Sequence, residues 1–205
     1  MLGQVLAADQ SCRAAVARLI AHRQARGHRP CSPRTGAYCQ ARQRLPESFR
    51  ADVTRQTGRA LEDDVDPKWL WQGRHVYLFD GTTVTMPDTP ANQAAYPQVY
   101  NQQPGLGFPI ARLGALISLA CGAVVNLGFC QYAGKGQGEV SLLRRLWDSL
   151  RPGDILLTDA LLANWANLVM LKERGLELVG RLNKAHRTAD FRRGKRLGQE
   201  DHVVQ

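Results

Sequence analysis

Two short apolar runs that each lead to an aspartate place the strongest constraint on the fold. Residues 76–79 read VYLF and are followed by Asp80, and residues 155–158 read ILLT and are followed by Asp159. Apolar runs of this length, bounded by polar or glycine-rich segments, are typical of buried strands. In open α/β sheets, active sites collect at the edge formed by the carboxyl ends of the strands. We therefore expect both aspartates at such an edge.

The segments around these runs predict a mixed sheet with helices laid against it. The order from residue 71 onward is strand, strand, strand, helix, strand, helix, strand. The residues after Asp80 predict that the first strand continues or turns into a second. Residues 88–109 predict a long loop, and residues 110–133 a hairpin. The segment GKGQGE, residues 134–139, opens a helix at which an anion could bind. Gly175 closes the last helix.

The first 70 residues have a helical pattern instead. Helices are predicted over residues 11–24, 34–45 and 46–61, the second of them from a Ser-Pro start signal. The acidic residues Glu62, Asp63, Asp64 and Asp66 and the proline after them predict a loop or domain boundary. The tryptophans Trp69, Trp71, Trp147 and Trp165 are predicted as core anchors rather than base-stacking platforms. The predicted domains are a helical region, 1–70, and an α/β region, 71–205.

The charge distribution favours a polyanionic partner. The formal net charge is +9, and arginines crowd the first sixty positions and the end of the chain. Nucleic acid is the first candidate, and a solvated basic surface is the alternative. Arginine outnumbers lysine, which suits bidentate phosphate contacts. The candidate DNA contacts are Arg34, Arg42, Arg44, Arg192, Arg193, Lys195 and Arg196. For the helical region, simple packing on the remaining chain is the alternative to DNA contact.

Other patterns exclude several classes of protein. There is no apolar run long enough to predict a transmembrane helix, and the first residues lack a signal-peptide pattern. The five cysteines include no Cys-x-x-Cys pair, which argues against a disulfide framework or zinc module. Free thiols suit a reducing cytoplasm.

The two aspartates admit two interpretations. If their strands are neighbours, the carboxylates face each other, and their repulsion becomes tolerable when a divalent cation lies between them. Oxygen ligands suit Mg²⁺ or Mn²⁺, and two such ions can activate a water or a 3′-hydroxyl in phosphodiester chemistry. The alternative is two unrelated strand-end aspartates that are solvated or cap the next segment. The basic charge of the chain supports the phosphodiester interpretation.

Several separated motifs resemble, in order, those of IS4-family insertion-sequence transposases. They are YLFDGTTVTMPDTPANQAAYPQ, GLGFPIARLGALISLACGAV, YAGKGQGEVSLLRRLWDSLRPGDILLTDA and HRTADFRRGKRLG, with SPRTGAYCQARQRLP similar to the N-terminal helical segment. The resemblance runs from about Ser32 to the end. It implies an RNase H-like fold with a DDE site, in which two aspartates and a glutamate hold two Mg²⁺ ions. On the matching motifs, the aspartates are Asp80 and Asp159.

The sequence departs from this pattern in two places. Residues 160–162 are Ala-Leu-Leu, where many members carry Arg-x-Phe or Arg-x-Tyr after the second aspartate. The family's glutamate lies in a Tyr-x-x-Arg-x-x-x-Glu helix beyond an inserted strand-rich region, and nothing here matches it. We expect an N-terminal portion of a transposase, truncated and inactive alone, with part of a hydrophobic sheet face open. We assign no catalytic role to Glu139, Glu173, Glu177 or Glu200, because none of them lies on the family's glutamate motif.

Three functional hypotheses follow. The first is a DDE transposase fragment that cuts and joins DNA with Mg²⁺ or Mn²⁺ at Asp80 and Asp159. The second is a non-catalytic DNA-binding remnant that binds element ends or regulates the full-length transposase. The third is an unrelated structural α/β domain. The expected partners are double-stranded DNA, as element ends and target, and further copies of the transposase in an oligomer. The expected location is the bacterial cytoplasm at the nucleoid, with no membrane partner.

Overall fold

The computed structural model divides the chain into two compact units, 1–53 and 54–205. It describes residues 4, 8–9, 11–101, 103, 105–181, 194–198 and 202–203. No helix in the part of the chain that is described is long and apolar enough to cross a membrane.

Three α-helices lie among the described residues of the region predicted to be helical. They are α1 (Cys12–Ala25), α2 (Gly36–Arg44) and α3 (Glu47–Asp63). Helix α1 begins where the Ser11 hydroxyl accepts a hydrogen bond from the Ala14 amide at 3.0 Å, which satisfies one of the free amides of the first turn. Helix α3 begins in the first unit and ends in the second.

The second unit is built on a five-stranded mixed sheet flanked by helices. Its strands are β1 (Val76–Thr85), β2 (Ile110–Ser118), β3 (Val124–Gln131), β4 (Ile155–Thr158) and β5 (Glu177–Gly180). Its further helices are α4 (Pro90–Ala95), α5 (Glu139–Leu146) and α6 (Trp165–Glu173), and a separate two-stranded ribbon joins β6 (Lys195–Arg196) to β7 (His202–Val203). The strand order is β3-β2-β1-β4-β5, with β2 antiparallel to β1 and β3, and β4 parallel to β1 and β5.

The hydrophobic core lies between one face of this sheet and helices α5 and α6. Tyr77 and Phe79 are each 1% exposed and pack in one cluster with Leu142 and Leu143 of α5 and Leu171 of α6. Because successive side chains of a strand point to opposite faces, Leu78 and Asp80 belong to the other face. The core therefore determines which face of β1 carries Asp80.

The face that carries Leu78 is partly open, as expected from the sequence. Leu78 and Leu157 are half-buried on it, Phe129 is 37% exposed, and Val179 is 54% exposed. The register places these residues on the face opposite to the one that α5 covers.

Strand β1 does not end at its aspartate. It runs ten residues, through Asp80 to Thr85, because β2 pairs with it from Tyr77 to Thr85. Only the parallel pairing with β4 stops early, at Leu78. The prediction that the first strand continues past Asp80 is confirmed. The prediction that Asp80 lies at the end of its strand is wrong.

The polar segment before the hairpin contains a helix that the loop prediction missed. Helix α4 begins at Pro90, and the Thr89 hydroxyl accepts a hydrogen bond from the Asn92 amide at 3.2 Å. Threonine followed by proline is an N-cap and first-turn signal, so the sequence did carry the information.

The acidic run was predicted to be a loop or boundary, but its first residue is buried. Glu62 is 2% exposed, lies in α3 and contacts the His75 ring through its carboxylate. Its second carboxylate oxygen accepts from the Cys121 thiol at 3.7 Å. These partners are 13 and 59 residues away in sequence, so a local pattern could not reveal them.

The prediction that the tryptophans anchor the core holds for one of them. Trp147 is 3% exposed, whereas Trp69, Trp71 and Trp165 are 65%, 55% and 77% exposed. Trp165 is the first residue of α6. A bulky apolar side chain alone does not indicate which end of an element is covered.

Candidate metal site and DNA contacts

Asp80 lies on the surface of the sheet, with its carboxylate exposed. Its Oδ1 accepts a hydrogen bond from the Gly81 amide at 2.8 Å. Among the described residues, no donor reaches its second oxygen. One carboxylate oxygen is thus oriented by the backbone, and the other faces outward.

Asp159 follows β4 directly and is also exposed. Its Oδ1 accepts hydrogen bonds from the amides of Leu161 and Leu162, both at 3.1 Å. This is the capping role that the sequence left open as an alternative, and it occupies one oxygen only. Within the described chain, the other oxygen has no donor.

A buried asparagine holds the turn that follows Asp159. Asn167 is fully buried, and its side-chain amide donates to the Leu162 carbonyl at 2.9 Å. Its Oδ1 accepts from Arg144 Nε at 3.1 Å and Nη2 at 3.0 Å. The Asp159 turn is therefore tied to α5 and α6. The sequence analysis missed Asn167, although the N-cap bond of Asn164 to the Asn167 amide was recognisable as a helix start.

The two aspartates have the same offset in sequence from the parallel pairing of β1 with β4. The paired positions are Val76 with Ile155, Tyr77 with Leu156, and Leu78 with Leu157. Asp80 lies two residues beyond Leu78, and Asp159 lies two residues beyond Leu157. Both aspartates therefore follow the carboxyl end of the paired segment, the edge where active sites collect in open α/β sheets.

Among the described residues, this edge has too few ligand side chains to bind a metal ion through protein atoms alone. In the described ranges, no group of three or more histidine, cysteine, aspartate or glutamate side chains gathers where it could hold an ion. Mg²⁺ is commonly held through one or two carboxylates, with waters and substrate phosphates completing its octahedron. Two exposed carboxylates fit that partial role.

Among the residues that the structure describes, neighbouring carboxylates do not supply a third ligand. Asp88 lies beyond β1, and its Oδ1 accepts from Gln93 Nε2 at 2.8 Å. Glu139 packs against Gly81, whose added Cβ would lie 2.9 Å from the Glu139 Cγ. Because Gly81 faces away from Asp80, this contact places Glu139 on the opposite face.

An ion pair missed in the sequence analysis explains the position of Glu139. Its Oε1 lies 2.8 Å from Arg112 Nη1, and the Arg112 guanidinium also lies over the Tyr132 ring. The glycine-rich segment predicted as a possible anion site thus begins its helix with a carboxylate that already has a cation partner. Sequence spacing gave no signal for this pair, which joins residues 27 positions apart.

The predicted DNA contacts of the first unit are side chains of α2 and of the segment before it. Arg34 and Arg44 are exposed. Arg42 is engaged: its Nη1 lies 3.2 Å from Gln4 Oε1 and 3.5 Å from Cys12 Sγ. Arg42 is exposed as well, so all three side chains are accessible.

The predicted contacts near the end of the chain are described only in part. Lys195 and Arg196 form β6 and are exposed, and Arg196 Nε donates to the Gly198 carbonyl at 2.8 Å. Arg192 and Arg193 lie outside the described residues.

Comparison with known proteins gives no match. No family model, no curated protein and no solved structure matches this chain. The class that fold and site define is a mixed α/β protein with two exposed aspartates just beyond the parallel pairing of β1 with β4.

Proposed function

We propose that this chain is part of a DDE-type transposase of the IS4 family, with an RNase H-like catalytic domain. The observation that supports the proposal is the parallel pairing of β1 with β4, since Asp80 and Asp159 each lie two residues beyond its last pair, Leu78 and Leu157. The same two aspartates are the ones that the sequence motifs align with the family's first two catalytic carboxylates. The mixed sheet with helices against one face supports the fold assignment.

In this proposal, the carboxylates of Asp80 and Asp159 would hold Mg²⁺ or Mn²⁺. The bound ions would supply an activated water or 3′-hydroxyl and stabilise the leaving oxygen of a phosphodiester. The chain's own contribution is orientation. The Gly81 amide fixes one oxygen of Asp80, and the amides of Leu161 and Leu162 fix one oxygen of Asp159.

The proposed partner is double-stranded DNA. The net charge of +9 favours a polyanion, and Arg34 and Arg44 present guanidinium groups in the first unit. Lys195 and Arg196 add exposed positive charge on β6. Phosphate contacts of this kind position DNA without reading its sequence.

The second candidate is a non-catalytic DNA-binding protein that binds element ends or regulates a complete transposase. The observation that favours it is the two-carboxylate site, since no third acidic ligand joins the pair among the residues described. We expect no strand cleavage by this chain alone on DNA that carries the element's ends with Mg²⁺. Robust cleavage that is lost in Asp80→Asn would show a complete active site and contradict this part of the proposal.

DNA binding is tested separately, by the dependence of affinity on salt. Affinity should fall steeply with salt, and replacing Arg34 and Arg44 by glutamine should reduce the logarithmic slope by about 2, one per lost phosphate contact. Arg151→Gln is the matched control, since Arg151 is paired with Asp63 at 3.3 Å. A slope that is unchanged in the double variant, or affinity that ignores salt, would reject the proposed DNA contacts.

A further inference from the structure

Strand β5 forms one edge of the five-stranded sheet, and among the described residues it pairs with β4 alone. The Glu177 amide donates to the Asp154 carbonyl at 3.1 Å, so the backbone groups of Glu177 and Val179 face β4. Those of Leu178 and Gly180 therefore point away from the sheet, where no strand of the described chain pairs with them. Unpaired groups on an edge strand are a template for another strand.

The opposite edge of the sheet, strand β3, is partly covered. The Gln131 amide at its end donates to the Gln137 side chain at 3.1 Å. At its start, a Cβ added to Gly58 of α3 would lie 2.5 Å from the Val124 carbonyl oxygen, so the helix lies against that backbone. The described residues therefore leave β5 as the more open of the two edges.

The side chains at this edge are self-complementary in charge. Val179 is 54% exposed and lies midway between the exposed residues Glu177 and Arg181. Glu177 Oε2 lies 2.7 Å from Arg74 Nη1, yet the Glu177 side chain stays 65% exposed. Glu177 and Arg181 carry opposite charges and are each two residues from Val179. An antiparallel pairing of two copies centred on Val179 therefore places each glutamate opposite an arginine.

Apolar side chains lie on both faces of β5. On the face of α6, Leu178 lines a groove of about 610 Å³ together with Trp165, Leu168 and Val169. Trp165 is 77% exposed there. Because side chains of a strand alternate between faces, Val179 lies on the opposite face from Leu178. A strand that approaches this edge thus meets apolar surface on either side, as the core of a protein interface requires.

We propose that β5 pairs antiparallel with β5 of a second copy of this chain, about a two-fold axis at Val179. Leu178 of each copy then faces Gly180 of the other, and each such pair exchanges two backbone hydrogen bonds. The two Val179 side chains meet on the axis, and Glu177 of each copy meets Arg181 of the other. The same patch serves both copies, as a two-fold interface requires, and the two sheets join into one.

The first test is the molar mass of the whole chain, measured by light scattering across a dilution series. We expect a dimer that dissociates to single chains on dilution. Val179→Glu should abolish the dimer, because it places two carboxylates opposite each other on the axis. Val124→Glu is the matched control, since Val124 is 36% exposed on the opposite edge strand, and it should leave the dimer intact. A mass of one chain at every concentration, or an equal effect of the two variants, would overturn the proposal.

A cysteine on the axis tests the register of the two strands. In Val179→Cys, mild oxidation should link two copies at this position, because directly opposed residues of antiparallel strands lie close enough for a disulfide. The tryptic peptide 175–181 should then appear as a disulfide-linked pair of identical peptides that separates on reduction. Recovery of this peptide with a free thiol, or linked to a native cysteine, would contradict the pairing.

Glu177→Arg and Arg181→Glu test the charge pairs. Each variant alone sets like charges opposite each other and should be monomeric. An equal mixture of the two variants restores opposite charges at both contacts and should form a heterodimer. A mixture that stays monomeric, or single variants that dimerise as well as the unmodified chain, would contradict the contact of Glu177 with Arg181. The cross-link through Val179→Cys decides the register even if a charge variant fails to fold.

Discussion

Replacing Gly58 by alanine should destabilise the second unit, although the same change usually stabilises a helix. Gly58 is a buried residue of α3. A Cβ added there would lie 2.5 Å from the Val124 carbonyl oxygen and 2.7 Å from the Val125 Cα. The first distance is about 0.9 Å short of the 3.4 Å at which ordinary contact begins. Both neighbours are backbone atoms, so helix and strand have to move apart.

The expected change in the free energy of unfolding follows from two opposing effects. Alanine in place of glycine in a helix interior gains about 1 kcal/mol, while overpacking a tight contact costs about 1–3 kcal/mol. The cost should lie at the upper end because no side chain can rotate away, which leaves a net loss of about 1–2 kcal/mol. For a domain of this size, that loss lowers the Tm by roughly 2–8 °C.

The assay is urea unfolding followed by circular dichroism, with Gly36→Ala as the matched control. Gly36 is the first residue of α2, and nothing lies within 4 Å of its added Cβ. The control should be neutral or slightly stabilising. If Gly58→Ala stabilises the protein as much as Gly36→Ala does, the close packing of α3 on β3 is refuted.

Two further perturbations test the buried charges. Glu62→Ala should lower the free energy of unfolding by about 2–4 kcal/mol, because it removes a buried carboxylate from His75, whose side chain is 30% exposed. Asp63→Ala, which removes an exposed carboxylate, should lower it by less than about 1 kcal/mol. Equal urea midpoints for the two variants would contradict the burial of Glu62. Burial raises the pKa of Asp154 above its ordinary 3.8, against the hydrogen bond from the Arg151 amide. The folded protein therefore binds this proton more tightly than the unfolded chain, so its stabilising contribution is present below pH 3.8 and is lost as pH rises through the raised pKa. Urea midpoints measured against pH should show this loss in the unmodified protein and not in Asp154→Asn, and identical pH profiles would reject the raised pKa.

Local patterns were enough to predict most elements of the second unit. The run at residues 155–158 coincides with β4, and the hairpin and the helix that Gly175 closes also form where expected. These elements have short apolar periodicities or a glycine with positive φ, which are properties of neighbouring residues. The full length of β1 could not be predicted from neighbouring residues, because its second half is a strand only through pairing with β2.

The parts of the candidate site that were missed depend on contacts between distant residues. Asn167 holds the Asp159 turn through Leu162 and Arg144, and no local pattern predicts that Arg144 reaches it from 23 residues away. The relation between Asp80 and Asp159 likewise depends on strand order. The sequence offered two aspartates after apolar runs, and the parallel pairing of β1 with β4 places each of them two residues beyond the last pair.

The central claim is that Asp80 and Asp159 share a divalent cation, and Mn²⁺ tests it most directly. In a titration of the isotope-labelled chain, paramagnetic broadening should appear first at the amides of Gly81, Leu161 and Leu162, which are bonded to the two carboxylates. Asp80→Asn and Asp159→Asn should each abolish that broadening. Asp88→Asn, which removes a carboxylate beyond the end of β1, should leave it unchanged. Broadening that is centred elsewhere, or that survives in the Asp80→Asn and Asp159→Asn variants, would contradict the account.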